Sequence, residues 1–291
     1  MPSFPDVDTR DAQAVSTRIR QILLGIESQG DLTLFDRIYN DVGRMFRGEF
    51  GDYRPIDLKY HDYQHTLQAS LCMAELMAGR DTARATPHLD WRQIELGMTA
   101  VLLHDSGYLT TASDGEGTGA KFTYTHVLRS SAVAASQLPR YGVKPHEIDI
   151  VLNAIRCTGP SANINTLEYD NESEMVLCAC VTTADYLGQL AAHDYPDELR
   201  ILFNEFKESD DFQGVPADQR LFNSEEDLIR KTPGFWRNFV LPKLEKDFRG
   251  VYRYLATPFP DGSNPYIVAI ERNMEIIERQ ITELAPESSS N

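Results

Sequence analysis

Several histidines and aspartates stand in an order that could build a metal site. His104 and Asp105 follow the apolar run AVLL, and Asp185 lies in the largely apolar segment CACVTTADYLGQLAA. A carboxylate buried alone in such surroundings is costly, and one shared divalent cation would remove that cost for both acids. His65, in another predicted helix, adds a further nitrogen ligand. Three or four His and carboxylate ligands with open positions are typical of a catalytic metal site, so these four residues predict one.

Each of these residues also has an ordinary structural interpretation when it is taken alone. Asp185 could be a buried acid bonded to backbone amides, and His61 and His65 could be a surface pair. The adjacent His104 and Asp105 would point about 100° apart on a helix, so both reach one ion only beyond a helix end or in a crevice between helices. The joint occurrence of these residues, in order and on helices, favours the metal site.

The elements that must position these residues are predicted to be helical. Apolar residues recur at three-to-four spacing almost throughout, and strand signals are weak. Residues 113–122 (SDGEGTGAKF) and 208–222 are predicted loops, and residues 1–8 and 286–291 loose ends. The predicted helices cover 11–28, 31–47, 57–79, 90–105, 123–138, 145–157, 172–192, 195–207, 224–256 with interruptions near its prolines, and 265–284. No linker is visible, so we expect one all-α domain over residues 1–291.

Composition narrows the functional classes. The formal net charge is -16 and the pI is about 4.8, which disfavours a nucleic-acid-binding face but not a small phosphate bound beside a metal. The cysteines, at positions 72, 157, 178 and 180, form no metal-binding or redox motif, and we expect buried thiols in a reducing cytoplasm. We expect neither a signal peptide nor a membrane span, because no apolar run approaches about 18 residues.

The four predicted ligands resemble the H…HD…D pattern of the HD superfamily of metal-dependent phosphohydrolases. In chain order they match its first histidine, its histidine–aspartate pair and its final aspartate. The resemblance covers residues 57–195. It implies an HD-type helical bundle with N- and C-terminal helical extensions, the C-terminal one over residues 196–285.

The stretch YHDYQHTLQA is also similar to the YHNxxHA segment of cyclic-nucleotide phosphodiesterases. That similarity implies that His61 donates a proton to the leaving group and that His65 binds metal. Asp62 stands where the family pattern has asparagine. The two histidines are four residues apart, so on the predicted helix over 57–79 they share one face.

A second metal ion is left open. In dinuclear members of the superfamily an additional histidine follows the HD pair, which makes His126 a candidate ligand of a second ion bridged by Asp105. Such members usually carry further histidines in the next helix, where this chain has Arg156 and Cys157. One divalent ion is therefore expected and two remain open, and the ligand types suit Mn, Fe, Mg, Zn or Ni.

The resemblance implies hydrolysis of a phosphomonoester or phosphodiester by a metal-activated water, with a nucleotide or cyclic nucleotide as the expected substrate. Asp105 would bridge two ions or orient the water, and His61 would protonate the leaving alkoxide. The phosphoryl charge needs cations, and the candidates near the motifs are Lys121, Arg129 and Arg156. The glycine-rich loop after the HD pair is either a lid or a plain connection.

Two other functions remain as alternatives. Some HD proteins use a dinuclear iron centre to oxidise a substrate with O₂, which would require a full ligand set for two irons. The other alternative is a non-catalytic module that senses a nucleotide or metal. We expect a small phosphorylated molecule as the partner, rather than nucleic acid or membrane, and leave a homo-oligomer open.

Overall fold

The computed structural model describes residues 4–160 and 162–284. The chain folds as an all-α protein, 68% helical, with no β-strand in those two ranges. The α-helices are α1 (Ala12–Ile26), α2 (Thr33–Phe46), α3 (Tyr63–Thr82), α4 (Trp91–Leu103), α5 (His126–Gln137), α6 (Pro145–Cys157), α7 (Glu172–Leu190), α8 (Tyr195–Gln213), α9 (Glu225–Phe235), α10 (Leu241–Lys246) and α11 (Pro265–Leu284). A π-helical turn, Trp236–Val240, joins α9 to α10, and short 3₁₀ turns occur in several connections.

Helices α3 and α7 lie at the centre of the fold. They pack against each other, α3 also contacts α1 and α4, and α7 also contacts α4 and α6. Gly188 permits the close approach, because a Cβ there would lie 2.8 Å from the backbone nitrogen of Ala69. His65 precedes Ala69 by one helical turn, and Asp185 precedes Gly188 by a similar step. Close packing at this point therefore brings those two side chains to the same interface.

The start of α3 differs from the prediction. The helix begins at Tyr63 and not at residue 57, because the carboxylate of Asp62 accepts a hydrogen bond from the backbone N–H of His65 at 3.1 Å and caps the helix. His61 thus lies outside the helix, and the prediction that it shares a helical face with His65 is wrong. The two rings are still close, with centroids 5.9 Å apart, because the chain turns at the cap.

Helix α8 is longer than predicted. It continues to Gln213 and ends at Gly214, whose φ of 66° is in the left-handed region that glycine adopts easily. Part of the predicted loop over 208–222 is therefore helical. The extra turn packs against the 3₁₀ turn Gly119–Phe122, which buries two polar residues of α8, Ser209 and Asp210. Packing against a distant segment overrides the polar composition of this stretch.

The remaining differences are small. Residues 4–8 do not form a loose end, because Phe4 and Val7 pack against the core, while residues 1–3 and 286–291 lie outside the described ranges. The four cysteines are buried and free, as predicted. Among the described residues, no single helix is long and apolar enough to cross a membrane. Helices α7 and α8 pass such a test only as a pair, across a bend of 109°.

Candidate metal centre

Four buried side chains meet between α3, α4 and α7, and together they are called the ligand pocket: His65, His104, Asp105 and Asp185. His65 lies in the first turn of α3, and Asp185 lies within α7. His104 is the C-cap residue of α4, directly after Leu103, and Asp105 follows it. The exposed fractions of the four residues lie between 1% and 7%. The helix end lets two adjacent residues face one point, as the sequence predicts for an HD pair.

The ligand atoms are close enough to share one cation. The Nε2 atoms of His65 and His104 are 3.3 Å apart, and the Oδ1 of Asp185 lies 3.3 and 3.4 Å from them. The Oδ2 of Asp105 lies 3.2 Å from the first nitrogen and 3.4 Å from the second. Ligands about 2.1 Å from a common ion stand about 3.0–3.4 Å from one another, so these separations match. One atom from each of His65, His104 and Asp185 lies within 4.8 Å of the others, a group that could hold a metal ion.

A buried carboxylate oxygen also fits a cation. The Oδ2 of Asp105 has no hydrogen bond of good geometry among the described residues, and the Nε2 atoms of His65 and His104 face it at 3.2 and 3.4 Å. Such an oxygen is costly to bury, and a positive ion among these four side chains would offset the cost. The donor set of two imidazoles and two carboxylates suits several divalent metals. The residues present therefore fit a bound metal ion.

Charge in the ligand pocket favours a positive species. Burial by itself would lower the pKa of His65, but the carboxylates of Asp105 and Asp185 outweigh burial and raise that pKa to about 10. Burial likewise raises the pKa of Asp185, but the imidazoles of His104 and His65 outweigh it and lower that pKa to about 2. For the same reasons the pKa of Asp105 lies well below its usual range. The pocket thus stabilises positive charge, either as protons on imidazoles or as a cation that replaces them.

The tautomer of His104 leaves a nitrogen lone pair facing the ligand pocket. Its Nδ1 lies 2.7 Å from the carbonyl oxygen of Val101 and must donate a hydrogen to it. In the neutral ring the lone pair is therefore on Nε2, which faces the other ligands. Metal-binding histidines are commonly oriented in this way by a carbonyl or carboxylate.

Asp185 has a supporting contact on its own helix. The side-chain amide of Gln189 donates to the Oδ1 of Asp185 at 3.3 Å. The amide oxygen of Gln189 in turn accepts a hydrogen bond from the hydroxyl of Tyr60 at 2.9 Å. This chain of contacts ties the Asp185 carboxylate to the segment that precedes α3.

His61 is held by a residue of the predicted C-terminal extension. Its Nδ1 lies 2.6 Å from the Oε2 of Glu205 on α8. The other oxygen of Glu205 accepts hydrogen bonds from the backbone N–H groups of Lys59 and Tyr60, at 3.2 and 2.9 Å. Glu205 is buried, with 6% exposed, so these contacts fix its position. The arrangement leaves Nε2 of His61 as the nitrogen available for other interactions.

His126 approaches the ligand pocket from the first position of α5. Its Nε2 lies 3.7 Å from the Oδ1 of Asp105, and its Nδ1 lies 2.7 Å from the carbonyl oxygen of Thr123, to which it donates. Burial lowers the pKa of His126 and outweighs the nearby Asp105 carboxylate. The neutral ring therefore directs an Nε2 lone pair at a carboxylate oxygen. A second cation between the two atoms would make that contact favourable.

Lys121, a predicted substrate-binding residue, is placed inside its own loop. It is buried, with 1% exposed. Its Nζ donates to the carbonyl oxygens of Asp114 and Glu116, each at 2.7 Å. The ammonium group thus organises the glycine-rich segment, which contains two 3₁₀ turns.

Arg129 and Arg156, the other two predicted cations, differ in their surroundings. Arg129 donates to the carbonyl oxygens of Gly107 and Leu109, at 2.7 and 2.9 Å, so it braces the turn that follows the HD pair. Arg156 is exposed on α6 and contacts Asn153 at 3.5 Å. None of the contacts found for these two residues is to the ligand pocket.

Sequence reasoning missed Glu205 and Gln189. Gln189 follows Asp185 by four residues, a spacing that allows side-chain contact on a helix, so this signal was available. Glu205 carries no comparable signal, because its partner His61 is 144 residues away along the chain.

The chain matches no protein-family model and no curated protein. The functional interpretation therefore depends on the geometry of the site and on the order of its residues.

Proposed function

We propose that this protein is a metal-dependent phosphoester hydrolase of the HD type, acting on a phosphomonoester or phosphodiester such as a nucleotide or cyclic nucleotide. The observation that carries the proposal is the buried ligand pocket, in which His65, His104 and Asp185 could hold a metal ion. The Asp105 carboxylate adjoins the same nitrogens at 3.2 and 3.4 Å. The order of these ligands along an all-α fold supports the HD type.

The residues of the ligand pocket would hold the ion, and Asp105 has a second role. One of its oxygens faces His65 and His104, and the other faces His126. It can therefore orient a water molecule beside one ion or lie between two. A bound divalent cation would supply water activation and would neutralise charge on the phosphoryl oxygens.

His61 is the proposed general acid. Its Nδ1 is occupied by Glu205, so Nε2 is the nitrogen that carries a proton to the departing alkoxide. The carboxylate of Glu205 fixes the orientation of the ring, because it is itself bound to two backbone N–H groups. A general acid of this kind typically contributes about 10²–10⁴-fold to the rate.

Charge compensation at the phosphoryl group falls mainly to the metal in this proposal. Lys121 and Arg129 already donate to backbone carbonyls, and Lys121 is buried within its loop. Substrates with a single phosphoryl group, which one or two cations can neutralise, are the first to test.

The iron oxygenase is the second candidate and is less well supported. Two irons would need ligands beyond Asp105 and His126 at the second position. On α6, where dinuclear members of the superfamily usually carry further histidines, Arg156 is exposed and Cys157 is buried against Tyr169 at 3.8 Å. No contact found among the described residues favours this reaction over hydrolysis.

The test is elemental analysis of protein purified without chelator, followed by a panel of phosphoesters. The panel contains 4-nitrophenyl phosphate, bis(4-nitrophenyl) phosphate, adenosine 5′-monophosphate and 3′,5′-cyclic AMP. We expect at least one equivalent of divalent metal and metal-dependent hydrolysis of one class. Bound metal without hydrolysis would favour the sensing module, and an absorption band of bridged iron would favour the oxygenase. Protein that neither retains nor requires metal would contradict the proposal.

A further inference from the structure

Tyr108 is a shared contact of the two histidines next to the ligand pocket. It ends the 3₁₀ turn Ser106–Tyr108, directly after the HD pair, and is 1% exposed. Its ring centroid lies 4.5 Å from that of His61 at an interplanar angle of 19°. The centroid of His126 is also 4.5 Å away, at 13°. One aromatic ring thus stacks with two imidazoles that come from different segments of the chain.

The turn that carries Tyr108 is fixed by its neighbours. The backbone N–H of Gly107 donates to the Oγ of Ser130 at 2.8 Å. A Cβ on Gly107 would lie 2.0 Å from the carbonyl oxygen of His126, so the turn presses directly on the start of α5. Arg129 holds the Gly107 carbonyl from the same helix. These contacts fix the backbone that carries Tyr108 against the start of α5.

The ring of Tyr108, and not its hydroxyl, makes these contacts. The ring also packs with Leu58 and Ala120 in a small apolar cluster. The hydroxyl is buried and has no hydrogen-bond partner among the described residues. Removal of the hydroxyl therefore leaves the contacts of the ring intact, whereas removal of the ring takes away the surface on which both imidazoles stack.

We propose that Tyr108 is a positioning residue. Its ring holds the imidazoles of His61 and His126 in a fixed arrangement relative to each other. The proposal rests on the function proposed above, in which His61 is the general acid and His126 approaches Asp105. Tyr108 would couple the position of the proton donor, His61, to that of His126 beside Asp105, because both imidazoles stack on the same ring.

The test compares Tyr108→Phe, which keeps the ring, with Tyr108→Leu and Tyr108→Met, which remove it. Hydrolysis of an alkyl phosphoester, which needs an acid, is measured beside that of a 4-nitrophenyl ester, which needs little. We expect the phenylalanine variant to stay within about twofold of wild type. We expect the other two to lose about 10- to 100-fold on the alkyl ester, with a smaller loss on the 4-nitrophenyl ester. Phe50→Leu, at another buried aromatic residue, controls for general loosening of the core.

A second readout does not depend on turnover. In zinc-loaded protein the Nδ1 protons of His61 and His126 are held in hydrogen bonds to Glu205 and to the Thr123 carbonyl, so their exchange with water reports whether each imidazole keeps its place. We expect both protons to exchange faster in the leucine and methionine variants and at the wild-type rate in Tyr108→Phe. Equal loss in Tyr108→Phe, or wild-type exchange without the ring, would overturn the proposal. Faster exchange in a protein that hydrolyses no phosphoester would support the positioning role and contradict the hydrolase function.

Discussion

The ligand pocket and the two histidines beside it are built in different ways. The pocket residues lie on α3, α7 and the end of α4, and packing among these central helices brings them together. His61 lies before its helix and His126 at the first position of α5. Their positions depend on Glu205 and Tyr108, which come from other segments. The candidate metal ligands are thus part of the core, while the proposed acid is held by long-range contacts.

This difference predicts that metal binding and hydrolysis can be separated by mutation. Changes in the ligand pocket should remove both properties. Changes around His61 should leave the metal in place and slow only the chemistry that needs a proton. The predictions below test that separation, beginning with the change expected to have the largest effect.

Asp105→Ala should abolish metal retention and hydrolysis together. The residue supplies one carboxylate oxygen near His65 and His104 and the other near His126, so its loss affects every ligand nitrogen. Substitution of a residue that only hydrogen-bonds to a metal ligand typically weakens metal affinity about 10- to 100-fold. Loss of a ligand itself should weaken metal affinity further. Elemental analysis measures the effect, and Asp210→Ala, at a buried acid on α8 that binds Tyr124, is the matched control. Unchanged metal content in Asp105→Ala would remove it from the ligand set.

His61→Ala should leave the metal bound and slow hydrolysis of esters with poor leaving groups by about 10²–10⁴-fold. The physical reason is that His61 contacts Glu205 and Tyr108, while the close cluster of ligand atoms comes from other residues. Rates for alkyl and 4-nitrophenyl esters, measured beside metal content, check this. Normal turnover of the alkyl ester would show that another group is the acid.

Glu205→Gln should have a smaller effect of the same kind, about 10- to 100-fold on alkyl esters. The amide keeps the shape of the side chain but replaces the charged oxygen that contacts Nδ1 of His61 at 2.6 Å with a neutral group. Glu208→Gln is the matched control, because Glu208 lies one turn further along α8 and binds Thr118 instead. If both variants lost activity equally, the effect would belong to the packing of α8 and not to His61.

Metal affinity should rise with pH. Asp105 and Asp185 outweigh the effect of burial and raise the pKa of His65 to about 10 in the metal-free protein, so the metal must displace a proton at neutral pH. Apparent affinity should then rise by up to about tenfold per pH unit for each proton displaced. The raised pKa of His65 also affects the stability of the metal-free fold. Protonated His65 contributes its full stabilisation below the pKa of the unfolded chain, about 6.5, and this stabilisation is lost as the pH rises through about 10. Chelator competition at several pH values measures the affinity, and a flat profile would contradict the protonated pocket.

The sequence predicts the ligand pocket better than its surroundings, and the reason is physical. An acid such as Asp185 within a long apolar helix stands out locally, because its burial requires a partner. The helices α1, α2, α6 and α11 follow from apolar periodicity in the same way. The start of α3 cannot be predicted from apolar periodicity, because the cap formed by Asp62 outweighs the periodic pattern. The contact of His61 with Glu205 leaves no local trace, because it depends on how α8 packs across the fold.

The position of Glu205 in the chain has a consequence for the order of synthesis. All four ligand-pocket residues precede the end of α7 at Leu190, whereas Glu205 follows in α8. As the chain leaves the ribosome, all four candidate metal ligands therefore emerge before the residue that orients His61. Under the proposed function, a nascent chain can bind the metal while it still lacks a positioned acid. Metal loading would then precede the completion of the proposed active site.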